Sequence, residues 1–296
     1  YRDIVIYNRA GGETSNPVTK QRMAPKFLGG AVPEIKPGED RRAILAKWLT
    51  AGDNPFFGLN IANRVWDHFF GMGIIEPVDD IRISNPATNP ELLKAMGTKL
   101  VEYKYDFRKL VRDICNSNAY QRAGTHNESN ATDEKNFSHS TVRRVRAESL
   151  LDIITQVTET KDKFQRLPVG GRAVQIADGN TSSYFLDTFG RSPRLTVCAA
   201  DVKADPSLSQ SLHLLNGPTV EGKIAQGGLI QRWIREGLTS QQIIEKIYVR
   251  ALTRKPTSEE TAKLVALVPA EKPEQAKVYN DIFWAVLNSR EFVFNH

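Results

Sequence analysis

The strongest constraint on this chain is the way its helices are punctuated. Asn54-Pro55, Asn89-Pro90 and Asp205-Pro206 each set a capping side chain directly before a proline. Proline suits the first helical position, because the N–H it lacks would find no partner inside the helix. Thr239 with Gln242 and Thr257 with Glu260 stand at capping-box spacing, where each side chain satisfies the other residue's backbone N–H. Asn216-Gly217-Pro218 reads as a stop, a residue tolerant of left-handed geometry followed by one that cannot continue a helix. These signals predict helices near 40–51, 55–70, 90–103, 107–118, 142–160, 206–215, 219–236, 240–252, 258–268 and 273–290. The fold class that follows is mainly α: a multi-helix, bundle-like domain of one or two lobes, with at most a minor β element.

Between the helices the chain divides by composition. Residues 1–38 are rich in Gly and Pro and form an extended N-terminal arm, with a short strand expected over Asp3–Tyr7. Residues 39–120 make a first helical lobe, 121–138 a polar loop or linker, and 139–296 a second helical lobe. Another irregular stretch, 161–200, contains Gly170-Gly171 and an expected strand at Ala173–Ile176. Irregular runs this long are uncommon in compact domains unless they carry function or are disordered. The sequons at Asn127, Asn130 and Asn180 read as chance matches in polar loops.

Composition removes several classes. In 296 residues, 40 Lys and Arg face 34 Asp and Glu, a net charge of +6 that is mostly interleaved. A nucleic-acid binder needs its basic residues concentrated in a stripe, so that class is set aside. No stretch approaches the ~18 apolar residues of a membrane span. Cys115 and Cys198 stand far apart, which leaves open both a bridge and two small buried thiols. No C-x-x-C-H occurs to attach haem and no C-x-x-C to hold zinc, and the five histidines show no ligand spacing, so no metal is assigned. The nucleophile-elbow, P-loop and dinucleotide fingerprints are missing. The chain opens at Tyr1 rather than Met, as a processed protein or an excised part of a longer one does.

Helix 55–70 carries the main candidate chemistry. Leu59, Ala62, Val65, Trp66, Phe69 and Phe70 form its core flank, while Asn60, Asn63, Arg64, Asp67 and His68 lie opposite. Asn60, Arg64 and His68 follow one another by single turns, so they line one ridge. Such a ridge can grip an anionic or polyhydroxylated ligand. It can equally be a solvated face, with Arg64 tied to Asp79 or Asp80 and a further pair at Arg82. His139, Arg143 and Arg144 open the expected 142–160 helix, where cations oppose the helix dipole and need an acidic partner or an anionic ligand. An i, i+4 pair of Arg144 with Glu148 would supply one such partner. His213, flanked by leucines, reads as a hydrogen-bonded core histidine, and His126 and His296 are poor catalytic candidates.

An ordered series of motifs then points to a family. Asp53-Asn54-Pro55-Phe56-Phe57 leads into Asn63-Arg64-Val65-Trp66-Asp67-His68-Phe69-Phe70-Gly71-Met72-Gly73. Pro77-Val78-Asp79-Asp80, Asn89-Pro90-Glu91-Leu92-Leu93 and Ile114-Cys115-Asn116-Ser117-Asn118 follow, then Phe137-Ser138-His139 and Val142-Arg143-Arg144. Phe189-Gly190-Arg191, Ser209–Asn216 and the closing Leu287–His296 complete the set. From about Met23 to the C-terminus, the chain resembles the planctomycete-type domain-of-unknown-function family numbered fifteen fifty-three. The resemblance implies a C-terminal module of exported multidomain proteins, in an extracytoplasmic setting. Its companion domains often carry c-type haem, while this chain holds no cofactor of its own. The recurrent Asn-Arg-Val-Trp-x-His stretch falls on Asn63, Arg64, Trp66 and His68.

Two functional readings result. In one, Asn63, Arg64, Trp66, Asp79, Asp80, His139, Arg143 and Arg144 line a pocket for a carbohydrate or anionic small molecule in redox-linked or polysaccharide processing. His68 is then the one proton-transfer group, with an ordinary pKa near ~6.5. In the other, the same charges form internal ion pairs, and the chain is a non-catalytic scaffold that docks companion domains of the same polypeptide.

Overall fold

The computed structural model describes residues 7, 13–177, 179, 181–194 and 207–295. The chain falls into two units. One runs to Arg122 and takes in Asn127–Ser138, and the other holds Ala123–His126 and the chain from His139 onward. Among the described residues the fold is mainly α with one two-stranded sheet.

The first unit contains α1 (Arg41–Leu49), α2 (Phe57–Phe70), α3 (Pro90–Glu102) and α4 (Phe107–Cys115). Asp40, Asn89 and Asp106 cap α1, α3 and α4 by accepting from N–H groups of the first turn. Asn54 acts slightly differently from the prediction. Its Oδ1 accepts from the N–H groups of Phe56 and Phe57 at 3.0 and 2.9 Å, and Pro55 stays outside α2. Helices α2 and α3 pack closely because glycines meet at the crossing. A Cβ on Gly58 would sit 3.5 Å from the Gly97 carbonyl oxygen, and one on Gly97 would collide with Leu59 at 2.6 Å. The core of this unit comprises Ala62, Trp66, Phe70, Leu93, Leu100 and Leu110 with their neighbours. Along the arm, Ser15 and Arg22 form an antiparallel bridge, and Phe27 stacks on Trp48 of α1 at 4.9 Å.

The second unit starts with β1 (Arg143–Arg144), followed by α5 (Ala147–Val157), a 3-10 turn at Ala173–Gln175 and α6 (Tyr184–Thr188). Next come α7 (Leu208–Asn216), α8 (Pro218–Gly227), α9 (Leu229–Arg235), α10 (Ser240–Leu252) and α11 (Ser258–Ala266). The series ends with α12 (Lys272–Leu287), α13 (Arg290–Val293) and β2 (Phe294–Asn295). Its core includes Leu150, Ile154, Leu186, Phe189, Leu229, Ile243, Tyr279 and Phe283, all almost fully buried. Thr239 and Thr257 form the expected capping boxes.

Four local expectations are corrected. The helix expected from 142 starts at Ala147, because Arg143 and Arg144 pair in antiparallel register with Asn295 and Phe294. The expected 219–236 helix breaks at Gly227-Gly228. Gly228 adopts φ +59°, and a Cβ on Gly227 would lie 1.9 Å from the Thr158 carbonyl oxygen, so backbone passes too close for any side chain. Residues 173–175 form a 3-10 turn instead of a strand, its first N–H groups taken by the buried Asp152 carboxylate at 2.6 and 3.3 Å. The stop at Gly217 works without left-handed geometry, since φ is −78° and Pro218 simply begins α8. The expectations at Asp3–Ile6, Asn180, Cys198, Asp205-Pro206 and His296 lie outside the described residues.

Candidate functional site

On α2, Asn63 faces the interior and is fully buried. Its Oδ1 accepts from the N–H groups of Ile74 and Ile75 at 2.8 and 3.0 Å, and its Nδ2 donates to the carbonyls of Ile75 and Val78 at 2.9 and 3.0 Å. An amide side chain has two acceptor positions and two donors, so Asn63 is fully committed to the chain. The Gly71–Gly73 turn makes this possible. Gly71 closes α2 at φ +75°, and a Cβ on Gly73 would lie 3.0 Å from the Asn63 amide. Asn63 therefore acts as the pin of the 71–80 loop and presents nothing to solvent.

That loop delivers Asp79 to the exposed Arg64, and the two form an ion pair. Asp80 pairs with Arg82 at 3.0 Å. Both pairings are the internal alternatives foreseen for these groups. Exposed pairs of this kind contribute about 0–1 kcal/mol each. Trp66 is buried, stacked on Phe70 at 4.0 Å and edge-on to Phe137 at 5.1 Å. His68 is exposed at the end of α2, with its ring edge-on to Phe69.

The other predicted members lie in the second unit. Arg143 and Arg144 belong to β1, so the helical spacing that would have paired Arg144 with Glu148 does not arise. The Arg144 guanidinium instead donates to the Phe189 carbonyl at 2.8 Å and lies over the Phe189 ring. Burial pushes its pKa down from the ordinary arginine value. His139 Nδ1 approaches the Ser140 carbonyl at 3.2 Å, and its ring lies 6.0 Å from that of His126.

Among the concavities of the second unit are two that spacing alone did not reveal and that bear on function. An apolar groove of about 560 Å³ has Tyr248, Leu264, Val278, Ile282 and Val286 along its walls. At its polar end Arg254 is held between Glu260 and Glu291 at 2.9 and 2.6 Å. Those two carboxylates raise the Arg254 pKa, and Arg254 with the Thr257 N–H holds Glu260 down to about 2. A second, polar cleft lies beside α8. There Lys223 Nζ donates to Asp162 at 2.6 Å, and Asp162 accepts from the Thr155 hydroxyl at 2.6 Å. Nearby, His213 Nε2 stands 2.9 Å from the Thr219 hydroxyl, which is the hydrogen-bonded core histidine expected from sequence. The i, i+4 spacing of Thr219 and Lys223 on α8 was the available signal for this cleft; nothing in the sequence marked Asp162 as the partner of Lys223.

A family model described as "Protein of unknown function (DUF1553)" matches residues 41–268, which include the α2 motif, the 71–80 loop, the polar cleft beside α8 and the α10–α11 side of the apolar groove, while the α12 side of that groove lies beyond the match. The chain belongs to this family. The match is narrower at both ends than the resemblance suggested, leaving the N-terminal arm and the final residues outside it. No curated protein and no solved structure matches this DUF1553 chain. Among its described residues no helix is long and apolar enough to cross a membrane, and no group of three or more His, Cys, Asp or Glu is disposed to hold a metal ion.

Proposed function

We propose that this DUF1553 domain is a non-catalytic docking module of an exported multidomain protein. It holds an amphipathic helical segment of a companion domain in the apolar groove of its second unit. The extracytoplasmic setting and c-type haem on companion domains belong to the same proposal. The observation that carries it is the groove itself: an apolar trough along α10, α11 and α12, with the exposed Ala285 and Leu267 on its lip. Charge selects the occupant. Asp281, Glu260 and Glu291 border the groove against one guanidinium, that of Arg254, in a chain whose net charge is +6. An occupant with apolar residues at i, i+3, i+4 and i+7 and flanking Lys or Arg complements both features. The internal commitment of Asn63, Arg64, Asp79 and Asp80 supports this reading over a ligand pocket built on α2.

The test is fluorescence anisotropy with two labelled Leu-rich peptides of about 15 residues, ~22 Å of helix. One carries lysines on its polar face and the other glutamates. The lysine peptide binds saturably and the glutamate peptide at least about tenfold more weakly, equivalent to ~1.4 kcal/mol. Ala285→Arg, at an exposed position on the lip, abolishes binding while the circular dichroism melt stays unchanged. Equal binding of both peptides, or binding that survives Ala285→Arg, refutes the reading.

A further inference from the structure

The polar cleft beside α8 shares no residue with the docking groove and poses a separate question. It encloses about 530 Å³, within the ~300–1,000 Å³ of small-molecule sites. Its apolar lining is Leu151, Phe164, Phe185 and Pro218, and its uncharged polar lining is Ser182, Ser183, Thr219 and Gln226. The ionised groups do not balance. Asp162 is matched by Lys223 at 2.6 Å, whereas Lys163 makes no ion pair among the described residues, which leaves the lining with one excess positive charge. Burial beside Phe185 and Phe189 pushes the His213 pKa down, against a further positive charge there.

Thr219 is held in place by His213. A hydroxyl has one donor and two acceptor positions, and the contact with His213 uses one of them. Lys223 is similarly fixed, with Asp162 and the Thr160 hydroxyl accepting two of its three donors. Hydroxyl and amide groups beside an apolar wall suit a sugar, whose C–H face meets the wall while its hydroxyls exchange hydrogen bonds. The excess cation suits a carboxylate on that sugar.

We propose that the cleft binds a sugar acid of the uronate class. Lys163 meets the carboxylate, Ser182, Ser183, Thr219 and Gln226 meet the hydroxyls, and the apolar wall that includes Pro218 meets the C–H face of the sugar.

The decisive experiment titrates the whole chain with glucuronate, glucose and acetate by isothermal calorimetry. Glucuronate binds saturably, and glucose and acetate each bind at least about tenfold more weakly, because each lacks one half of the recognition. Lys163→Gln, at an exposed position, weakens glucuronate about tenfold and leaves glucose unchanged. Gly222→Trp supplies the blocking variant, since a Cβ there meets nothing within 4 Å and the cleft lies in front of it. It removes binding without lowering the melting temperature. Failure of glucuronate to bind the wild type, glucose binding as tightly as glucuronate, or binding that persists in Gly222→Trp overturns the proposal. Loss or survival of the peptide interaction at the groove has no bearing on this outcome.

Discussion

Two helices, α2 and α8, carry polar side chains at helical spacing and use them in opposite ways. On α2 the polar residues are consumed by the chain itself: Asn63 by four backbone groups of the following loop, Arg64 by Asp79. On α8 the Thr219 and Lys223 side chains are anchored on their inner sides, by His213 and Asp162, and line a cleft. A polar ridge on a helix therefore announces a face, not what meets that face. What decides is whether a loop folds back over it, as 71–80 does over α2, or a concavity stays open beside it.

Substitutions on the two helices and their partners test this contrast. The largest effect is expected at Asn63. Asn63→Leu strands four buried backbone groups at once and lowers stability by on the order of 3–5 kcal/mol in urea denaturation. A loss under about 1 kcal/mol would mean that the loop does not depend on this amide. Next comes the anchor on α8. Lys223→Met leaves Asp162 partly buried and unpaired, at a cost of about 2–3 kcal/mol, and Lys223→Met with Asp162→Asn recovers part of it. Additive losses in that double mutant would show that the two groups do not interact.

Smaller changes separate backbone from side-chain effects. Gly228→Ala places a Cβ at φ +59° and lowers stability by about 1 kcal/mol, read from the shift in the denaturation midpoint. The Arg254 clamp gives a pH signature. Glu260 has its pKa depressed to about 2, so its contribution is fully present above its ordinary carboxylate range and disappears as pH falls toward 2. Melting temperatures recorded from pH 5 to pH 2 fall more steeply for the wild type than for Glu260→Gln, and parallel curves would contradict the clamp. The smallest effect is at Arg64→Ala, about 0–1 kcal/mol, because its pair with Asp79 is exposed.

Much of the architecture was legible because it is local. Capping by Asn89, Thr239 and Thr257 depends on residues within three positions, and those helices start where the signals stand. The exceptions come from distant partners. The break at Gly227-Gly228 is imposed by the Thr158 carbonyl, and β1 exists because Phe294 and Asn295 return to it. The same division applies to the candidate residues. Pairing of Asp79 and Asp80 with nearby arginines was foreseeable from short separations. The burial of Asn63 was not, because its four partners belong to a loop whose path no periodic pattern encodes. Asp162, reaching Lys223 from a turn far upstream in sequence, escaped for the same reason.

The pairing of β1 with β2 has a practical corollary. It seats residues 143–144 beside 294–295, so the helical body between them enters and leaves at a single seam. Clipping its last few residues would unfasten the entry and the exit together.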